Sequence, residues 1–152
     1  MIDTHKSDSS EQTQAEEHIF SLVEKKLGIT LEKNKKLYLS DNAFTYIQPD
    51  FFSNDAHVLG EIFSHIGKPK KAQNNKIAND ILKMLAYEKI TGTRYRKIIV
   101  VCDQDEYKSL HGLSVLAETI RQFEIELLYI EIDKDLRNKL FAAQKRQKMI
   151  NE

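Results

Sequence analysis

Residues 43–52 read AFTYIQPDFF and residues 57–65 read HVLGEIFSH, with Ser53, Asn54 and Asp55 between them. Both runs are rich in aromatic and β-branched residues, and the Ser-Asn-Asp step has turn chemistry, so the pair reads as a β-hairpin. Pro49 cannot donate to a ladder, which places a bend or an edge at Pro49-Asp50. Each run carries one carboxylate among strongly apolar neighbours: Asp50 beside Ile47, Phe51 and Phe52, and Glu61 beside Leu59, Ile62 and Phe63. A carboxylate in such company is costly unless it is paired or holds a metal.

Working outward, a turn-rich basic stretch at residues 32–36 leads into a short strand at 37–39. Upstream, a helix is predicted over residues 11–27, with Ser10 as its N-cap and Gly28 as its stop. Its apolar stripe is Ile19, Phe20, Leu22, Val23 and Leu27; Glu16 falls at the edge of that stripe, where it can reach solvent. Residues 1–9 are polar and expected to be frayed and disordered. Downstream, Gly67 and Pro69 break the chain before a helix over residues 71–90, stopped by Gly92, with Ile77, Ile81, Met84 and Leu85 inward. Residues 97–102, KIIVVC, form a continuous apolar run suited to a strand buried on both faces. A helix over 110–123, a strand over 126–132 and a basic helix over 133–149 complete the order. This predicts the α/β class: a mixed β-sheet flanked by helices on both faces.

The 152 residues fit one domain, here residues 10–152, since domains usually run to ~100–200 residues. Apolar residues at 41% and charged residues at 30% describe globular material rather than a disordered or fibrous chain. One cysteine excludes an intramolecular disulfide framework. The start lacks a signal-peptide pattern, and no run approaches the ~18 apolar residues of a membrane span. A soluble, cytoplasmic protein with no membrane partner is the expectation. Formal net charge is zero, so no global field draws the chain to nucleic acid. Basic residues nevertheless cluster locally: Lys68, Lys70, Lys71 and Lys76; Arg94, Arg96 and Lys97; Lys145, Arg146 and Lys148. No phosphate-binding glycine loop, serine-hydrolase elbow or cysteine/histidine zinc spacing is present.

Paired strands can bring Asp50 and Glu61 to one end of a sheet, where two carboxylates, waters and a substrate phosphate suffice for a hard divalent cation. Helix–hairpin–helix–strand order, with Pro49-Asp50 on one strand and Glu61 on the next, resembles the PD-(D/E)xK superfamily, the restriction endonuclease-like core of many restriction enzymes, resolvases and repair exonucleases. The resemblance covers residues 11–132. It implies hydrolysis of phosphodiester bonds in nucleic acid, DNA ahead of RNA, with Asp50 and Glu61 as ligands of Mg²⁺ (or Mn²⁺). Small nucleases of this kind often pair to cut two strands, which makes a homodimer an option.

The family's lysine stands two residues after the acidic one, and here that position is Phe63. In some members the lysine migrates to the following helix. Lys76 is then the first candidate and Lys70 the second: at ~100° per residue, Gln73, Lys76, Ile77 and Asp80 share a face with Ile81 and Met84. The plainer reading of Lys76 is a helix-rim lysine with its stem buried and its head in water. A glutamine near Gln73 recurs in one branch of the superfamily, and Lys68, Lys70 and Lys71 are suited to clamping phosphates. Some members also carry an acid on the first helix, where Glu16 stands.

Asp103-Gln104-Asp105-Glu106 follows the KIIVVC strand, where α/β proteins place their sites. A strand ending in D-x-D resembles part of a Toprim domain, whose paired aspartates bind Mg²⁺. Helix N-capping by Asp103 is the favoured explanation. His57 and His65 flank Glu61 and read as strand-end surface residues, although His65 could approach a scissile phosphate. Cys102 reads as a small core residue. A degenerate relative that keeps the fold and binds nucleic acid or a protein partner is the alternative that Phe63 favours.

Overall fold

The computed structural model describes residues 4–41 and 44–150. Its elements are α1 (Thr4–Leu27), β1 (Glu32–Lys33), β2 (Leu37–Tyr38), β3 (Tyr46–Ile47), β4 (Phe51–Ser53), β5 (Val58–Phe63), α2 (Lys71–Thr91), β6 (Arg96–Val101), α3 (Gln104–Ser109), α4 (Val115–Gln122), β7 (Glu126–Tyr129) and α5 (Lys134–Ile150). A five-stranded sheet has the order β1-β4-β5-β6-β7, and β2 with β3 forms a separate ribbon. β4 runs antiparallel to both β1 and β5, while β5, β6 and β7 are mutually parallel, so the sheet is mixed as expected.

Period-two alternation decides which helix covers which face. Val58 and Ile62 of β5, with Ile98 and Val100 of β6, face Ile19 and Val23 of α1 and Leu140 of α5. Leu59 and Phe63, with Ile99 and Val101, face Ile77, Ile81 and Met84 of α2. Full burial of such side chains contributes about 1.5–3 kcal/mol each, and both faces of β5 and β6 receive it. α2 stops where Gly92 adopts a left-handed conformation (φ 67°) that its missing Cβ allows.

Several boundaries differ from those read in the sequence. α1 begins at Thr4, so Ser10 lies inside the helix, and only Met1–Asp3 of the expected frayed tail fall outside the described residues. The hairpin strand expected over 43–52 is two strands: β3 pairs with β2, and β4 crosses to the main sheet beyond Pro49. Proline's missing donor ends one ladder there and lets the chain change sheets. Ala43 lies outside the described residues. The stretch at 32–36, read as turn, supplies the edge strand β1. The helix expected over 110–123 is the shorter α4, begun at Val115 by the Ser114 hydroxyl, which accepts from the Ala117 amide at 3.0 Å, and α3 just before it is a further helix not expected from the sequence.

The cluster at Arg94, Arg96 and Lys97 is spent internally. Arg94 pairs with Glu124, Arg96 with Glu126 at 3.0 Å, and the buried Lys97 ammonium with Glu88 at 2.6 Å. No helix among the described residues is long and apolar enough to cross a membrane.

Gly60 fixes the fit of β4 on β5. A Cβ there would lie 2.1 Å from the Phe51 ring and 2.7 Å from the Ile98 carbonyl oxygen. The ring of Phe51, its register partner, lies directly over the glycine and is fully buried. Gly60→Ala is therefore expected to destabilise by about 1–3 kcal/mol through overpacking, read as a lower midpoint in urea denaturation.

Candidate active site

Asp50 immediately precedes β4, and the register Phe51↔Gly60 brings it opposite Glu61 on the same face of the ribbon. One Asp50 oxygen, Oδ2, accepts the Ile62 amide at 2.7 Å, which holds the carboxyl against β5 just past the bend. Glu61 accepts from the Asp50 backbone and hydrogen-bonds the Asp50 side chain. Burial first, then the charge of Asp50, pushes Glu61 up to about 9.

Two further acids border the pair. Glu16 on α1 is half-buried and raised above the usual carboxylate range by burial and then by Asp50. Asp80 on α2 is 6% exposed, raised by burial, and its Oδ1 lies 3.5 Å from the Lys83 ammonium. The Lys76 charge lowers both Glu16 and Asp80, which sets its ammonium in the field of this acidic cluster. The Lys76 Nζ also stands 5.4 Å from the centre of the Phe63 ring, within cation–π range. Lys76 and Asp80 are one turn apart on α2, so the helix presents a cation and an acid side by side.

A groove of about 240 Å³ opens beside these groups, lined by Gln12, Glu16, Phe63, His65, Gln73 and Lys76 among others. Gln73 also accepts the Lys70 amide at 2.8 Å and so holds the first turn of α2 in place. Lys68, Lys70 and Lys71 are exposed on the approach to that helix. Gln144 of α5 bonds both the amide and the carbonyl of Ile66, at 3.0 and 2.9 Å, fixing the chain between β5 and α2.

Asp103 is the N-cap of α3. Its Oδ1 accepts the Asp105 and Glu106 amides at 2.9 and 3.3 Å, and its Oδ2 meets Arg137 at 2.9 Å. With those oxygens engaged and Asp105 exposed, the capping role is the one the structure displays. His57 lies in the turn at the far end of β5 against Tyr95, remote from Glu61. Cys102 is core, its thiol pushed up to about 12 by burial and then by Glu106 and Asp103.

Of the residues singled out in the sequence, Asp50 and Glu61 meet on neighbouring strands, and Gln73 and Lys76 line the groove together with Glu16. Glu16 is half-buried within the field of Asp50 rather than turned to bulk solvent. Asp80 was visible only as a residue on the face of Lys76. Its signal was an acid at a core-facing helical position.

Among the described residues, no three carboxylate, imidazole or thiolate groups converge as a ready-made cation cage. The donor set for a cation is the Asp50–Glu61 pair. It suits a hard ion that keeps much of its water, as Mg²⁺ does, and such an ion would displace the proton of Glu61.

Without a cation, Glu61 carries a proton in the folded state at pH values where the unfolded chain, near 4.5, has lost it. Its contribution is thus complete below that value and is lost as pH rises toward about 9. Thermal melts in chelator across this window should show stability falling with pH, and a shallower fall in Glu61→Gln. The chain matches no protein-family model, no curated protein and no solved structure.

Proposed function

We propose that this chain is a metal-dependent nuclease of the PD-(D/E)xK kind, hydrolysing phosphodiester bonds in nucleic acid, with DNA ahead of RNA. The observation that carries the reading is the contact of Asp50 with Glu61 on neighbouring strands, with Lys76 reaching over Phe63 from α2. Phe63 occupies the sequence position of the family's lysine, and the ammonium standing over its ring is supplied from the next helix.

Asp50 and Glu61 would hold Mg²⁺ or Mn²⁺, which supplies activation of water and neutralisation of charge on the attacked phosphate. Asp50 is aimed by the Ile62 amide, so its geometry is set before any ligand arrives. Lys76 brings a positive charge to where negative charge develops on the phosphoryl oxygens. Lys68, Lys70 and Lys71 lie along the approach and would contact backbone phosphates on either side. Glu16 and Asp80 feel the Lys76 charge, which sets the ammonium beside the pair.

A second reading, a degenerate fold that binds nucleic acid or a protein partner without cutting, draws on Phe63 and on the two-acid donor set. Cleavage separates the two. With Mg²⁺ or Mn²⁺, labelled DNA or RNA oligonucleotides should be cut, and chelator should stop it. Asp50→Asn and Glu61→Gln should each lower the rate by at least about 10²-fold while the protein stays folded. Lys76→Met, which keeps the stem and removes the charge, should cost about 10²–10³-fold. Asp105→Asn should leave cleavage unaltered. Steeply salt-dependent binding with no cleavage under either ion would favour the second reading.

A further inference from the structure

Glu106 of α3 is wholly buried, and neither of its carboxyl oxygens has a hydrogen-bond partner. Buried polar groups are ordinarily satisfied, so this position calls for an explanation beyond packing. Beside it stands His65, whose Nδ1 lies 3.9 Å from Glu106 Oε2 and is itself buried without a hydrogen bond. His65 hydrogen-bonds the Gly67 backbone and lines the groove with Lys76, Gln73 and Glu16. Two orphaned polar groups therefore face each other across a gap that a small rotation closes. One belongs to a ring that reaches the groove, the other to an acid sealed beneath it.

We propose that His65 is a further catalytic residue of this groove, donating a hydrogen bond to a phosphoryl oxygen of the substrate, and that Glu106 is its positioning residue. The inference rests on the nuclease reading above.

Protonation states agree with the geometry. Burial and then the Asp103 charge push Glu106 up to about 8, so at neutral pH it is a carboxylic acid with a proton to donate. Burial lowers His65, opposed by Asp103 and the Gly67 backbone and aided by Lys70, so the ring is neutral. The remaining charged or titratable neighbours are the Cys102 thiol at the end of β6 and Arg137 of α5, which is taken up by Asp103. A neutral ring that accepts a proton at Nδ1 carries its own on Nε2. That N–H exchanges the Gly67 backbone for a substrate oxygen. When Glu106 ionises it can only accept, the ring's proton moves to Nδ1, and the groove loses its donor.

The test measures Mg²⁺-dependent cleavage of labelled single- and double-stranded DNA from mildly acidic to mildly alkaline pH, alongside thermal melts. His65→Ala and Glu106→Leu should each lose about 10²-fold in rate. Glu106→Gln, whose amide still donates, should restore most of that loss and remove the alkaline fall. Glu106→Leu should melt no lower than wild type, since an apolar side chain replaces an unpaired buried acid. Asp50-dependent cleavage that is indifferent to His65 overturns this inference alone. So does an alkaline fall that persists in Glu106→Gln, or a loss of activity in Glu106→Leu matched by a loss of stability. A wild-type chain that cuts nothing overturns the nuclease reading and this inference with it.

Discussion

The hydrogen bond from the Ile62 amide to Asp50 Oδ2, at 2.7 Å, ties the bend at Pro49 to the central strand of the sheet. β4 has only three residues and could not hold its place through backbone pairing alone. Phe51 lying over Gly60 and Asp50 bonding Ile62 together fix its position along β5. From that position Asp50 meets Glu61, and the acids on α1 and α2 have something to surround. Were β4 to slip by one residue, Asp50 would move to the opposite face of the sheet and the cluster would dissolve.

That cluster is an electrostatic cost as well as an opportunity. Asp50 meets Glu61; Glu16 and Asp80 lie within reach of the Asp50 charge, and Glu61, Glu16 and Asp80 are all displaced upward by burial. Such strain is tolerated where the surrounding fold is firm, and here it is. β5 is paired on both edges, apolar on both faces, and anchored beyond its end by Gln144 on the Ile66 backbone.

Legibility in the sequence followed the strength of the local signal. KIIVVC read as a doubly buried strand because no other element uses so continuous a β-branched run, and Arg96–Val101 occupies that place. α2 was legible within a residue because Gly92 marks its end. The start of α4 was not, since Leu116 and Ile120 keep helical spacing but only the Ser114 cap sets the first turn at Val115. β1 escaped notice because two charged residues have no strand signature of their own; pairing to Phe51 and Phe52 defines them. In the site, Asp50 and Glu61 announced themselves as carboxylates in apolar company. Glu106 did not, because it sits in an acidic run that reads as the N-cap of a helix.

The chain by itself determined the α/β order, the apolar faces and the carboxylates that must find partners, because these follow from periodicity and from the cost of burying charge. Tertiary structure alone decided that Lys76 would stand over Phe63, that Glu16 would turn toward Asp50, and that Arg94, Arg96 and Lys97 would be consumed by Glu124, Glu126 and Glu88. Those outcomes depend on where one helix or strand crosses another, and distances between remote segments are set by packing of the whole rather than by any local stretch.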